Sequence, residues 1–401
     1  MPNPRSPRFP AGSIPLIPLI IAFTLGCPTP SPAAAPSLRD RVQARLQAVA
    51  DAAVKDGDYP GISLAASLPD GTILTAVAGV ADRDTRVPLK PSDRMPAGSV
   101  GKTFVAAAAL QLAKEGRLDL DAKVGHYLGE APWFPRLPNA GDLTVRMLLN
   151  HTAGLERHEF KEAFTTALTR DPDRAWKPAE LVAYVLDDRP LFPAGKGWAY
   201  SDTHYIVLGM VLEKITGTAW FGMLRERFLE PLRLKDTLPA ESRVIPGLVQ
   251  GYAGEANPFG GTDAMITNGR FAFNPRNEWT GGGVVSTPRD LARWARELYA
   301  GPLIDPALRA QMLEGVATDM GPGVTYGLGV LIRPSSRGIT WGHSGFFPGY
   351  LTDMAYFPDL RVAVAVQANS SVPRRRGRAL FPLLVEVAGA LGSSGSSCRV
   401  P

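Results

Sequence analysis

Cysteine is almost absent. Cys27 and Cys398 stand at opposite ends of 401 residues, which argues against a disulfide framework and a cysteine-built metal centre. Histidine is scarce too: His126, His151, His158, His204 and His343 show no H-E-x-x-H spacing, so neither a metal nor a cofactor is expected. A large excess of one charge is also lacking. The formal net charge is +5, lower still without Arg5 and Arg8 of the leader, and no arginine-rich stripe carries interleaved aromatics, which argues against nucleic acid as a partner. The basic cluster Arg374-Arg375-Arg376-Gly377-Arg378 reads as a solvated turn entering the last helix. The apolar stretch from Ile14 to Leu25 is short for a bilayer span, and Pro15 and Pro18 interrupt it. No internal repeat is apparent.

Glycine (41) and proline (37) are both plentiful, pointing to many loops and tight turns, while 45% hydrophobic and 20% charged residues are ordinary for a globular chain long enough for a large core. Residues 1–35 read as an export signal and tether, with Arg5 and Arg8 before the apolar stretch. Thr24-Leu25-Gly26-Cys27 resembles a bacterial lipobox, which would lipidate Cys27 and attach the protein to a membrane. Ordinary cleavage near Ala33-Ala34-Ala35 is the alternative. Either reading sends the protein to the periplasm or cell envelope.

A helix is expected from Ser37 to about Lys55, with Leu38, Val42, Leu46 and Val49 on one face. Gly61 to Ser67 and Thr72 to Val80 read as a hairpin around Pro69-Asp70-Gly71. From Gln111 to about Trp279 the pattern is mainly helical. From Tyr326 onward it is strand-like, at Leu328 to Ile332, Ile339 to His343, Tyr350 to Phe357 and Val362 to Ala368, closed by a helix from Ala379 to Leu391. The fold class is α/β (α+β): an antiparallel sheet flanked by helices, with an inserted mainly helical part.

The stretch Ala97-Gly98-Ser99-Val100-Gly101-Lys102 opens an Ala-rich apolar helix. Positions i and i+3 share a helix face, so Ser99 and Lys102 can point into one cavity. A serine needs a base to become a nucleophile, and burial lowers a lysine pKa, so Lys102 is the candidate base. A Pro/Gly-rich loop then delivers Tyr200 and Asp202 just before a helix expected from Ile206 to Ile215. Later, Gly342-His343-Ser344-Gly345-Phe346 lies on an inner strand able to line a cleft. His151, in Leu149-Asn150-His151-Thr152-Ala153-Gly154, reads as a helix-end histidine bonding local backbone rather than as the catalytic base.

These signals, in this order, resemble the serine β-lactamase-related family: class C β-lactamases, D-Ala-D-Ala carboxypeptidases, D-aminopeptidases and family VIII carboxylesterases. Leu148-Leu149-Asn150-His151-Thr152-Ala153-Gly154-Leu155 and Gly282-Gly283-Val284-Val285-Ser286-Thr287 look like the same family's structural signatures. The resemblance implies a catalytic domain over 36–392, its α/β part formed by 36–110 and 280–392 and its helical part by 111–279, with a disordered tail at 393–401. It implies Ser99 as acylated nucleophile, Lys102 as base or hydroxyl holder, Tyr200 as proton relay, and the backbone N–H groups of Ser99 and Phe346 as oxyanion hole. Asp202, His343, Ser344 and Gly345 would contact substrate. His343 stands where lactamases carry the lysine of K-T-G, which ranks a D-stereospecific peptidase of the D-Ala-D-Ala carboxypeptidase type above an esterase or a class C-type β-lactamase. Asp202 departs from the usual Asn: Tyr200 then carries more of the base role, or Asp202 is protonated, or it binds a cation such as a substrate amine. The expected partner is a small-molecule or peptide substrate. A non-catalytic penicillin-binding-like protein is the reading from another class.

Overall fold

Side chains of alternating destination build the central sheet. In the computed structural model, β1 (Gly61–Ser67) sends Ile62, Leu64 and Ala66 to one hydrophobic cluster and Ala65 to another. The structure describes residues 37–55, 59–254, 263–372 and 379–392, together with 7, 12, 257 and 259. The leader with Cys27, the arginine cluster and the tail from 393 lie outside the described residues. The chain divides into Met1–Ser37 and Leu38–Pro401, and the architecture that follows is that of the second unit.

The first cluster joins that sheet face to two helices, α1 (Leu38–Lys55) and a C-terminal helix at Leu380–Gly392, through Val42, Leu46 and Ala50 of the former and Leu383, Leu384 and Val387 of the latter. Burying each Leu or Val contributes about 1.5–3 kcal/mol. The other strands of this sheet are β2 (Ile73–Gly79), β3 (Val316–Ala317), β4 (Thr325–Tyr326), β5 (Leu331–Ser335), β6 (Gly338–Phe347), β7 (Tyr350–Phe357) and β8 (Val362–Ala368). All pair antiparallel, in the order β2-β1-β8-β7-β6-β5-β4-β3. Gly329, at φ +73, turns the chain where a strand from Leu328 is expected, so β5 begins later. Conversely, β6 runs on past His343 through Phe347, which keeps Gly345 and Phe346 in the sheet.

The other sheet face carries the second, larger cluster, to which the helical region belongs. Its central helix, α2 (Lys102–Lys114), is buried from Lys102 through Leu110. Phe104 stacks on Trp294 at 3.8 Å between ring centres, and the Trp294 indole N–H donates to Thr103 Oγ1 at 2.8 Å. That pair fixes α2 against α5 (Pro288–Tyr299), which Thr287 caps through the Asp290 N–H. Between them in the chain come α3 (Val145–Leu149), capped by Thr144, and α4 (Asp202–Thr216). The helix expected from Ile206 thus starts at Asp202, a carboxylate in the first turn where the helix dipole favours it.

Candidate active site

Gly98–Gly101 forms one 3-10 turn, and α2 follows directly. In such a turn residues i and i+3 eclipse, so Ser99 and Lys102 align more closely than on the α-helix expected there. Lys102 Nζ donates to Ser99 Oγ at 3.1 Å. It also donates to Asp202 Oδ1 and to the Gly281 carbonyl, which uses all three N–H bonds of an ammonium. Lys102 is fully buried. Burial pulls its pKa down, yet the adjacent Asp202 charge more than offsets this and holds it above the ordinary lysine range. Asp202 shows the mirror image: burial pushes it up, and Lys102 overrides, holding the carboxyl far below its usual range. At rest the two form an ion pair, contrary to the free amine that burial alone implies. Of the three readings of Asp202, protonation is therefore disfavoured.

Tyr200 sits two residues before α4. Its hydroxyl is buried and makes no hydrogen bond among the described residues, while the Lys102 ammonium lies 4.9 Å from its ring centre. Burial pushes the phenol up to about 12 against the pull of Lys102, so it is neutral at pH 7. Below it lies a buried histidine pair. The Leu155 N–H donates to His204 Nε2, so His204 carries its proton on Nδ1 and donates to His151 Nδ1 at 2.9 Å. His151 Nδ1 also accepts from the Ser201 N–H, and its carbonyl accepts from the Ala199 N–H. The ring stands 4.2 Å from that of Tyr200. His151 thus holds the chain on both sides of Tyr200, a structural role that extends the local backbone bonding expected of it.

β6 supplies the facing wall. Gly98, at φ +52, lies against the Phe346 backbone: a Cβ there would come within 2.9 Å of Phe346 N. A Cβ on Gly345 would reach 2.0 Å from the Ala97 carbonyl oxygen. Only glycine at both positions lets the strand approach the Ser99 turn. His343 Nδ1 must donate to the Ser344 carbonyl at 2.6 Å, so its Nε2 accepts from the Tyr326 hydroxyl at 2.9 Å. Burial pushes His343 down to about 3, so it is a neutral ring with both nitrogens engaged. Ser344 Oγ accepts from Arg333 at 2.9 Å and donates to Asp353 at 2.9 Å, the residue opposite it on β7. Arg333 in turn grips Asp353 with two bonds of 2.9 and 2.7 Å.

Ser99, Tyr200, His343, Ser344, Gly345 and Phe346 all line one cleft of about 1020 Å³, whose apolar wall includes Leu191, Trp198, Met320 and Phe381. Asp202 lies behind them, reached through Lys102. The sequence did not mark Arg157, Glu159 or Glu278 as site residues. Arg157 Nε donates to Glu159 Oε1 at 2.6 Å, and its Nη2 lies 3.5 Å from Asp202 Oδ2. Glu278 titrates near neutrality: burial raises it to about 7, with the Asp202 charge adding and Lys102 and Arg157 opposing.

Four buried histidines give the site a pH signature. Burial lowers His158 to about 4, His204 and His343 to about 3, and His151 well below the ordinary imidazole range. In the unfolded chain each titrates near 6.5. Between pH 6.5 and 3 the unfolded state therefore binds more protons, and stability falls as pH falls. By pH 4.5 each histidine costs on the order of 1–3 kcal/mol. Melting temperatures measured from pH 7.5 to 4.5 should drop steadily from about 6.5 downward, and a flat profile would contradict the buried neutral rings.

With this geometry in hand, the chain matches the Beta-lactamase family profile over residues 46–389. Esterase EstB of Burkholderia gladioli is 30% identical over 356 residues, covering 80% of this chain and 88% of the esterase. A D-stereospecific amidohydrolase from Streptomyces sp. superposes with a TM-score of 0.70 at 30% identity, covering 82% of this chain and 94% of its own. A D-amino acid amidase from Ochrobactrum anthropi SV3, complexed with L-phenylalanine amide, superposes with a TM-score of 0.74 at 26% identity, covering 88% and 99% respectively.

Proposed function

Because the chain belongs to the Beta-lactamase family, whose members include serine hydrolases, we propose that this serine hydrolase cleaves amide bonds of D-amino-acid substrates through an acyl-enzyme on Ser99. The observation that carries the reading is Ser99 Oγ, 3.1 Å from Lys102 Nζ, at the wall of the large cleft. The Streptomyces amidohydrolase and the Ochrobactrum amidase support amides and D-stereochemistry.

In this mechanism Ser99 Oγ attacks the carbonyl carbon. Its proton passes to Lys102 as Lys102 hands one to Asp202, which leaves Lys102 an ammonium and Asp202 a neutral acid until the serine oxygen takes the proton back in deacylation. The neutral phenol of Tyr200 protonates the leaving nitrogen as the C–N bond breaks, and the phenolate regains its proton from the water that then attacks the ester. The Ser99 and Phe346 N–H groups stabilise the oxyanion, as preorganised donors do in acyl transfer. Water attacks the ester by the reverse path and frees the acid. Gly345 lets the strand close on the nucleophile. Ser344, clamped between Arg333 and Asp353, fixes the strand beside it.

Recognition of a substrate carboxylate, as a carboxypeptidase requires, has little support. His343 is neutral, and Arg333 is spent on Asp353. Of the cations lining the cleft, Arg157 is paired with Glu159, and Lys161 with Asp188 at 2.8 Å. The reading therefore moves from the carboxypeptidase type toward an amidase or aminopeptidase. Export, with attachment through lipidated Cys27, belongs to the same proposal and is supported by Arg5, Arg8 and the apolar stretch before Cys27.

D- and L-phenylalanine amide, p-nitrophenyl acetate and benzylpenicillin, followed by mass spectrometry, test it. D-phenylalanine amide should turn over at least about tenfold faster than its L-enantiomer. Hydrolysis of the ester or the penicillin without either amide would overturn the amide reading while leaving the serine hydrolase intact.

A further inference from the structure

Asp202 stands where the family pattern has asparagine, and the exchange changes what must stand beside it. An asparagine both accepts and donates, whereas an ionised aspartate only accepts. Asp202 Oδ1 accepts from Lys102. The other side of the carboxyl faces Arg157, whose Nη2 lies 3.5 Å from Oδ2, and Glu159. Glu159 sits in the 3-10 turn His158–Phe160, after the loop behind α3, on the wall of a small enclosed cavity of about 70 Å³ beside Ser99. It is only 6% exposed.

The hydrogen bonds around Glu159 leave one place unfilled. Arg157 Nε donates to Oε1 at 2.6 Å. Oε2 is buried and receives no hydrogen bond among the described residues. His158 Nδ1 comes within 3.5 Å of it, yet that nitrogen is committed elsewhere. Thr203 Oγ1 gives its proton to the Glu156 carbonyl at 2.8 Å, so His158 Nδ1, at 3.1 Å, donates to Thr203. The three N–H bonds of Lys102 are spent on Ser99, Asp202 and Gly281. What Glu159 does meet is a second carboxyl, that of Asp202, within hydrogen-bond reach. Two buried carboxylates in contact repel, and a proton on one turns the contact into a strong hydrogen bond. The Lys102 ammonium fixes the charge on Asp202, which leaves the proton to Glu159. Burial and the Asp202 charge both push Glu159 well above the ordinary carboxyl range. Glu278, on the same cavity wall, adds to that push whenever it is ionised.

We propose that Glu159 is a positioning residue of the active site: a neutral acid whose O–H donates to Asp202 and holds that carboxylate against Lys102. Glu159 makes no bond to Ser99. It acts through Asp202 on the direction in which Lys102 Nζ faces Ser99 Oγ. By donating to Asp202 it also lowers that carboxylate's affinity for a proton, so the proton taken up in acylation is readily returned in deacylation. The inference rests on Ser99 and Lys102 as the reacting pair, and it holds for amide and ester substrates alike.

The test compares Glu159→Leu and Glu159→Gln with the unmodified protein on whichever p-nitrophenyl ester or amide it turns over. Leucine keeps an apolar stem and removes both oxygens. It should lower kcat at least about tenfold with KM within about threefold, since the lost bond is to a charged group that never touches substrate. Glutamine presents an amide N–H where the acid has its O–H, and a carbonyl for Arg157, and should recover most of the lost kcat. Infrared difference spectra at neutral pH read the proton directly. Subtracting the Glu159→Gln spectrum from that of the unmodified protein should leave the C=O stretch of a protonated carboxyl and no carboxylate band. A carboxylate band there would overturn the proposal. So would a Glu159→Gln variant as slow as Glu159→Leu, or one that does not fold, since either shows that the charge of an ionised Glu159 is required. Full kcat in Glu159→Leu would overturn it as well. If Glu159→Leu does not fold, or no substrate is turned over, the infrared comparison decides alone. Turnover of esters without amides counts against the amide reading only.

Discussion

Ser99→Ala should lower kcat/KM by at least about 10⁴-fold on any substrate the protein turns over, with almost no change in stability. The loss is large because, in the proposed mechanism, Lys102 and Tyr200 both act through the Ser99 oxygen. Without it, no covalent intermediate forms, and what remains is binding and a preorganised oxyanion site. The fold is spared for a local reason. Ser99 Oγ accepts one bond, from Lys102, and Lys102 keeps its bonds to Asp202 and the Gly281 carbonyl. Losing one such bond costs about 1 kcal/mol, a shift of a few degrees in melting temperature. Steady-state kinetics and a melting curve on the same preparation check both halves. A variant that keeps a tenth of the activity would remove Ser99 from the mechanism.

Lys102→Met should damage both activity and fold. The methionine matches the lysine stem in volume but takes away the cation that balances Asp202. Asp202 is 7% exposed, and breaking a buried pair by removing one partner costs about 3–5 kcal/mol. Urea unfolding should show that loss, and activity should fall about as far as in Ser99→Ala, since both act on one proton transfer. Adding Asp202→Asn to Lys102→Met should restore most of the stability and none of the activity, because the buried charge is gone while the proton carrier is still missing. A single Lys102→Met variant as stable as the parent would mean that Asp202 takes up a proton or reaches water. An active one would mean that Ser99 has another base.

The parts of the site that were legible in the sequence are those made by short-range geometry. Ser99 and Lys102 are three residues apart and preceded by Gly98, and Gly345 and Phe346 lie in a strand whose alternation is visible. Tyr200 stands in a Pro/Gly-rich loop before an apolar helix. The sheet was legible for the same reason: β1, β7 and β8 are short, almost wholly buried runs rich in Val, Ile, Leu, Ala and, in β7, aromatic residues, bounded by turn residues. The start of α4 was hidden because Asp202 to Tyr205 show no apolar period, although a carboxylate there suits the helix dipole. The protonation of Lys102 is not set by burial alone: it depends on how closely Asp202 approaches across a hundred residues of chain. Glu159 and Glu278 carry no motif at all. Their relation to Ser99 exists only after the loop behind α3, the start of α4 and the Gly281-Gly282 segment pack together.

The most direct test of the account is to quench the protein with acid during turnover of a p-nitrophenyl ester of D-phenylalanine and map the peptides by mass spectrometry. The mechanism predicts a phenylalanyl mass increment confined to the peptide carrying Ser99, located on that residue by fragmentation and absent from Ser99→Ala. Rapid turnover with the increment on another residue, or turnover that persists in Ser99→Ala, would contradict it.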